Sequence, residues 1–123
     1  MKQSKELGNW AEQLACDHIQ QQGWQILARN YHCRSGELDI VACHQSTLAF
    51  IEVKYRRSNH YGGALASITP SKRRRLISAA QTFLQNYSQF KSRQARFDLI
   101  AISGRPKQQL KLQWLPAIFS LTE

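Results

Sequence analysis

Two neighbouring runs constrain this chain more than any other feature. Residues 37–43 (ELDIVAC) and 48–56 (LAFIEVKYR) are mostly apolar, yet Asp39, Glu52 and Lys54 are set inside them. Their Val, Ile and Phe content and the short break at Gln45 and Ser46 read as two strands of an antiparallel hairpin. Runs apolar on both faces belong to a sheet covered on both sides. Side chains alternate across a sheet, so Glu37, Asp39 and Val41 are expected on one face and Leu38, Ile40 and Ala42 on the other. On the next strand Phe50, Glu52 and Lys54 oppose Ala49, Ile51 and Val53. Charges held in a covered sheet are costly unless they are paired or bind a metal. The fold must therefore provide a partner for them.

The rest of the chain supplies the cover. Residues 4–22 read as a helix with an apolar stripe through Leu7, Trp10, Ala11, Leu14, Ala15, His18 and Ile19. Ser4 is its expected N-cap and Gly23 its stop. Residues 24–32 form the first expected strand, followed by a turn at residues 33–36. Residues 58–66 (SNHYGGALA) read as a loop. Thr69 and Pro70 open a second helix, as N-cap and first helical residue, with Leu76, Ile77, Ala80, Phe83, Leu84 and Tyr87 on its buried side. Residues 88–94 read as a polar linker. Residues 96–103 and 110–115 are the last two strands, with a turn at residues 104–106. The order α-β-β-β-α-β-β predicts an α/β fold of one domain over residues 1–123, a mixed central sheet flanked by helices. The third and fourth strands are expected to be joined by a right-handed crossover.

Charge then narrows the partner. The 123 residues hold 17 Lys and Arg against 8 Asp and Glu, a net charge of +9. Folding does not need such an excess, and its self-repulsion opposes compaction. An anionic partner is expected, nucleic acid before a membrane surface. No apolar run is long enough to span a bilayer, and the first ten residues, MKQSKELGNW, lack the apolar core of an export signal. Cys16, Cys33 and Cys43 are an odd set without paired spacing, so a reduced, cytoplasmic protein is expected.

Asp39 and Glu52, on adjacent strands, suit a hard divalent cation bound through oxygen, Mg2+ or Mn2+, with positions left for water and phosphate. Lys54, two residues after Glu52, is placed to polarise water or stabilise charge on the phosphate. That is the chemistry of metal-assisted phosphodiester hydrolysis. Alone, a Glu-x-Lys pair on a strand is more often a surface ion pair; the added strand Asp, a residue type depleted in strands, shifts the balance. Lys72, Arg73, Arg74 and Arg75 oppose the dipole at the start of the second helix, which suggests phosphate binding rather than folding. Arg56 and Arg57 extend this basic track, with His60, Tyr61, Gly62 and Gly63 in the loop between. Glu37 is expected to face water. His32, Cys33, Cys43 and His44 lack the spacing of a zinc site. Asp98 is expected to pair with a neighbouring Arg, and Trp10, Trp24, Phe83, Phe97 and Trp114 to serve the core.

The runs at residues 36–42 (GELDIVA) and 50–56 (FIEVKYR) resemble the signature of the YraN-like family of small bacterial proteins, a branch of the PD-(D/E)XK nuclease superfamily similar to archaeal Holliday junction resolvases. Residues 8–12 (GNWAE), 29–31 (RNY), 68–73 (ITPSKR) and 96–98 (RFD) extend the likeness over nearly the whole chain. The resemblance implies a restriction-endonuclease-like core, α-β-β-β-α-β. It implies Asp39 and Glu52 as metal ligands, Lys54 as the catalytic lysine, and Glu12 as a first-helix carboxylate approaching the same site. Leu38 stands where the superfamily's name has proline, and Ala11 where a second glycine is common; neither removes a reactive group. The implied activity is a Mg2+- or Mn2+-dependent endonuclease on DNA, branched DNA included, with a homodimer suited to two-fold junctions. Two rival readings are a non-catalytic nucleic-acid-binding module on the same fold and a basic protein for anionic membrane surfaces.

Overall fold

The computed structural model describes residues 2–57 and 63–121, the side chains of residues 2–4 excepted; His60, Tyr61 and Gly62 lie outside the described residues. Helix α1 spans Lys2–Gln21. Ala11, Ala15, Cys16 and Ile19 form its buried stripe. The helix begins two residues before the expected Ser4 cap, because Lys and Gln at positions 2 and 3 are good helix formers and extend the turn backwards. It stops at Gly23, whose φ of 89° lies in the left-handed region; there Gly23 N–H donates to Gln20 O and Trp24 N–H donates to Ile19 O.

Strands β1 (Gln25–Cys33), β2 (Gly36–His44) and β3 (Thr47–Arg56) follow as an antiparallel meander. A single turn, α2 (Gly63–Ala66), occupies part of the segment expected as loop, since the Ala-Leu-Ala run favours helix. Helix α3 covers Pro70–Asn86, with Thr69 as N-cap accepting a hydrogen bond from Lys72 N–H. A 3-10 turn at Ser88–Phe90 lies in the expected linker. Strand β4 (Gln94–Ser103) runs parallel to β3, and β5 (Lys111–Phe119) pairs antiparallel with β4. The sheet order is β1-β2-β3-β4-β5. Helices and mixed sheet together are consistent with a restriction-endonuclease-like core.

Each face of the sheet carries its own core. On the α3 side Leu38, Val41, Leu48, Phe50 and Phe97 pack with Leu76, Ala80 and Phe83. On the α1 side Ile40, Ala42, Ala49, Ile51 and Ile100 pack with Ala11, Ala15 and Ile19. Strand β5 continues past Leu115 through an irregularity opposite Phe97 and Leu99. There Ala117 has a φ of 54°. Buried Asp98 accepts from Ala117 N–H, from Trp114 Nε1 and from Arg96 Nε and Nη2, so it is the structural partner of Arg96 that the sequence suggested.

One expectation of alternation fails, and the failure shapes the site. Leu38 packs on the α3 side while Ile40 packs on the α1 side, although two residues separate them. Their β1 partners switch in step. Arg29, opposite Ile40, reaches α1 at Gln13, whereas Tyr31, opposite Leu38, packs edge-on against Phe83 of α3. Between them Asn30 has a φ of 52°, a conformation Asn tolerates better than most residues, and it turns the hairpin over.

Candidate active site

The β2–β3 ladder pairs Thr47 through Ile51 with His44 through Ile40 and goes no further, while β3 stays paired with β4 as far as Arg56. The sheet therefore splits beyond Ile40 and Ile51. Asp39 and Glu52 stand at the apex of the split and tie it with side chains. Val53 N–H donates to Asp39 Oδ2 at 2.9 Å, and Asp39 N–H donates to Glu52 Oε2 at 3.3 Å. Each carboxylate thus bonds the other strand's backbone where ladder bonds would otherwise lie. Turning over at Asn30 and Asp39 is what aims the Asp39 side chain across the gap.

Burial dominates the electrostatics. Glu52 is 7% exposed, and desolvation together with the Asp39 charge pushes its carboxyl up to about 7, against the pull of Lys72. Asp39 is raised by desolvation, with the Val53 amide and the charges of Lys72 and Lys54 opposing the rise. Glu12, from α1, is raised by desolvation and then by Asp39, so it shares the field of the same site. The Arg29 guanidinium stands 3.9 Å from Glu12 Oε1, too far for a hydrogen bond, and that oxygen is buried with no hydrogen-bond partner among the described residues. Lys54 is half-exposed on the β3 side of the split.

This donor set fits a divalent cation of the Mg2+ or Mn2+ type. Carboxylate oxygens are drawn together at a cost in desolvation and repulsion, and one buried oxygen is left without a donor. No group of three His, Cys, Asp or Glu side chains forms a ready metal cage among the described residues, so an ion on Asp39 and Glu52 would keep much of its water. His32, Cys33, Cys43 and His44 do not converge as a zinc site either: Cys33 pairs with Gly36 at one end of the β1–β2 hairpin and Cys43 with Gln25 at the other.

The basic residues divide. Lys72 leaves the surface track and sets Nζ 3.3 Å from Glu52 Oε1. Arg73 lies over the Phe119 ring, 5.5 Å from its centroid. Arg74 and Arg75 are exposed on α3. Arg56, also exposed, donates through Nη2 to Gly63 O, and Arg57 borders a separate cavity with Gly104 and Lys111. Glu37 faces solvent, as expected, paired with His32 at 3.0 Å. Reasoning from sequence missed the place of Lys72 and the part played by Asn30. The spacing of Lys72 from Thr69, one helical turn after the cap, was the available sign that it points back over the sheet edge.

The profile of the uncharacterised protein family UPF0102 matches residues 11–102. A UPF0102 protein of Pseudomonas fluorescens is 45% identical over 116 residues, 94% of each chain. One of Nitrosococcus oceani is 43% identical over 115 residues, 94% of this chain and 92% of that one. One of Saccharophagus degradans is 40% identical over 123 residues, the whole of both.

Proposed function

The chain belongs to the UPF0102 family, the group that its motifs resemble as YraN-like, and on that footing we propose a metal-dependent endonuclease-like protein that hydrolyses phosphodiester bonds in DNA, branched DNA included. The observation that carries this reading is the pair of carboxylates, Glu52 buried and Asp39 half-buried, held across the split of the sheet with the charge of Lys54 acting on Asp39. Asp39 and Glu52 hold the cation, Mg2+ or Mn2+. A cation bound there supplies Lewis-acid stabilisation of the charge that builds on the phosphate oxygens. Lys54 orients the attacking water and offsets charge on the phosphate. Glu12 adds a third carboxylate, poised to accept a hydrogen bond from water. Water adds to phosphorus, one P–O ester bond breaks, and the water's proton passes to base or solvent while the leaving oxygen is protonated. Arg56, Arg57, Arg74 and Arg75 carry the strand towards this site.

Purified protein should nick or cut DNA in Mg2+ or Mn2+ on a panel of linear, flap and four-way substrates. Glu52→Ala, Asp39→Ala and Lys54→Ala should each lower the rate by about 100-fold or more, the scale of a lost charge-stabilising group. Salt-sensitive binding without cleavage under either metal would instead assign the non-catalytic module. No described helix is long and apolar enough to cross a membrane. A cytoplasmic location and a two-fold dimer on symmetric junctions complete the proposal, the latter tested by light scattering with and without junction DNA.

A further inference from the structure

Lys72 stands between two environments. On one side its ammonium touches Glu52 Oε1 at 3.3 Å; on the other it borders a cavity of about 410 Å3 with His32, Gly36, Glu37 and Arg75. The Lys72 side chain is 41% exposed while that of Glu52 is 9% exposed, so the lysine has open space beside it and the carboxylate is enclosed. A cation approaching Glu52 Oε1 meets the Lys72 charge already there, and the two repel. The displaced ammonium has the cavity it already lines to turn into. There the solvent-facing Glu37, in contact with His32, brings one negative charge against the two positive charges of Lys72 and Arg75. A cavity lined by Lys72 and Arg75 against the single carboxylate of Glu37 is net positive and suits an anion.

We propose that this cavity is a phosphate subsite for the nucleic-acid strand, coupled to the cation site through Lys72, which pairs with Glu52 when the cation is absent and with the phosphate when it is present. The inference rests on the cation reading of Asp39 and Glu52. Cation and phosphate then strengthen each other's binding, and by linkage the effect is reciprocal.

The test is Mn2+ binding at pH 8, followed by calorimetry, with thymidine 3′,5′-bisphosphate as the phosphate probe, since it has no phosphodiester to cleave. In wild type, saturating bisphosphate should tighten Mn2+ by about fivefold or more, within the usual range of coupling. Lys72→Met should bind Mn2+ alone about tenfold tighter than wild type and show no further gain from the bisphosphate. Arg75→Ala should weaken the bisphosphate itself. Lys72→Gln gives the same comparison if Lys72→Met fails to fold by circular dichroism. Unchanged or weaker Mn2+ binding in the Lys72 variants, with binding lost in Glu52→Ala, would overturn the coupling and leave the cation site standing. Undiminished Mn2+ binding in Glu52→Ala would overturn the cation reading and the coupling with it.

Discussion

Glu52 is a carboxyl buried in the sheet beside a second one, Asp39. Its carboxyl lies near 7, raised from an ordinary 4.5 chiefly by burial and then by Asp39. A carboxyl that holds its proton more tightly when folded favours folding most at low pH. Its contribution is complete below about pH 4.5 and is lost as pH rises towards 7. Asp39 and Glu12 are raised in the same sense, so they add to the trend. Glu52→Gln, which keeps an acceptor for the Asp39 amide and removes the charge, should therefore flatten the stability profile between pH 5 and 7. At pH 7.5 it should be more stable than wild type by roughly 1–3 kcal/mol. Urea unfolding of the two proteins across that range decides the matter; a variant less stable than wild type at pH 7.5 would show that the buried charge is better compensated than its surroundings suggest. Enhanced stability with lost cleavage is the pattern of a group kept for function.

Two elements show what alternation can and cannot reveal. The meander, the crossover helix and its Thr69 cap follow from apolar periodicity and turn chemistry, and they are found close to their expected bounds. The placement of Leu38 does not, because period-two alternation presumes uninterrupted extended backbone. Asn30, in the left-handed conformation, lies between the Arg29–Ile40 and Tyr31–Leu38 pairs, and both strands change face there, so Leu38 leaves the side that Ile40 and Ala42 share. Asn is uncommon in strands, and that was the only trace of the turnover in the sequence. Both Asn30→Val and Asn30→Gly lose the side-chain hydrogen bond to Glu12, so the strained φ should show as Asn30→Val being less stable than Asn30→Gly by about 1–2 kcal/mol. Thermal unfolding distinguishes them, and equal stability of the two would remove the conformational argument. The β4–β5 pair depends likewise on Asp98. Asp98→Ala leaves Arg96 and the Trp114 and Ala117 N–H groups without their acceptor, so it should destabilise by about 3–5 kcal/mol in urea.

At the scale of the molecule, the excess of positive charge is distributed by the fold rather than spread along one track. Lys72 and Arg73 are drawn inward, to Glu52 and to Phe119, while Arg57, Arg74 and Arg75 remain outside. A run of four like charges in sequence therefore separates into inner and outer pairs, a division set by helical phase against the sheet and invisible to a count of charges. DNA affinity should fall steeply with salt. Arg57→Ala and Arg74→Ala should each lower the slope of log Kobs against log salt by about 1, measured by fluorescence anisotropy. Arg73→Ala should act on stability and leave that slope nearly unchanged. Asp39, Glu52 and Lys54 were legible as a set because charged residues inside apolar strands need a reason; the split of the sheet that holds them was not, because it depends on where two ladders part.

The parting of those ladders also gives the protein its own reporters. The Val53 amide hydrogen bonds to Asp39 Oδ2 and the Asp39 amide to Glu52 Oε2. Each of these two nitrogens thus carries, as a spectator, the charge of one carboxylate at the split of the sheet. In a nitrogen–proton correlation spectrum their two peaks should move as acid or a divalent ion is added, while neighbouring amides bonded within the β3–β4 ladder hold still, so that the state of each carboxylate is read separately without a label at either side chain.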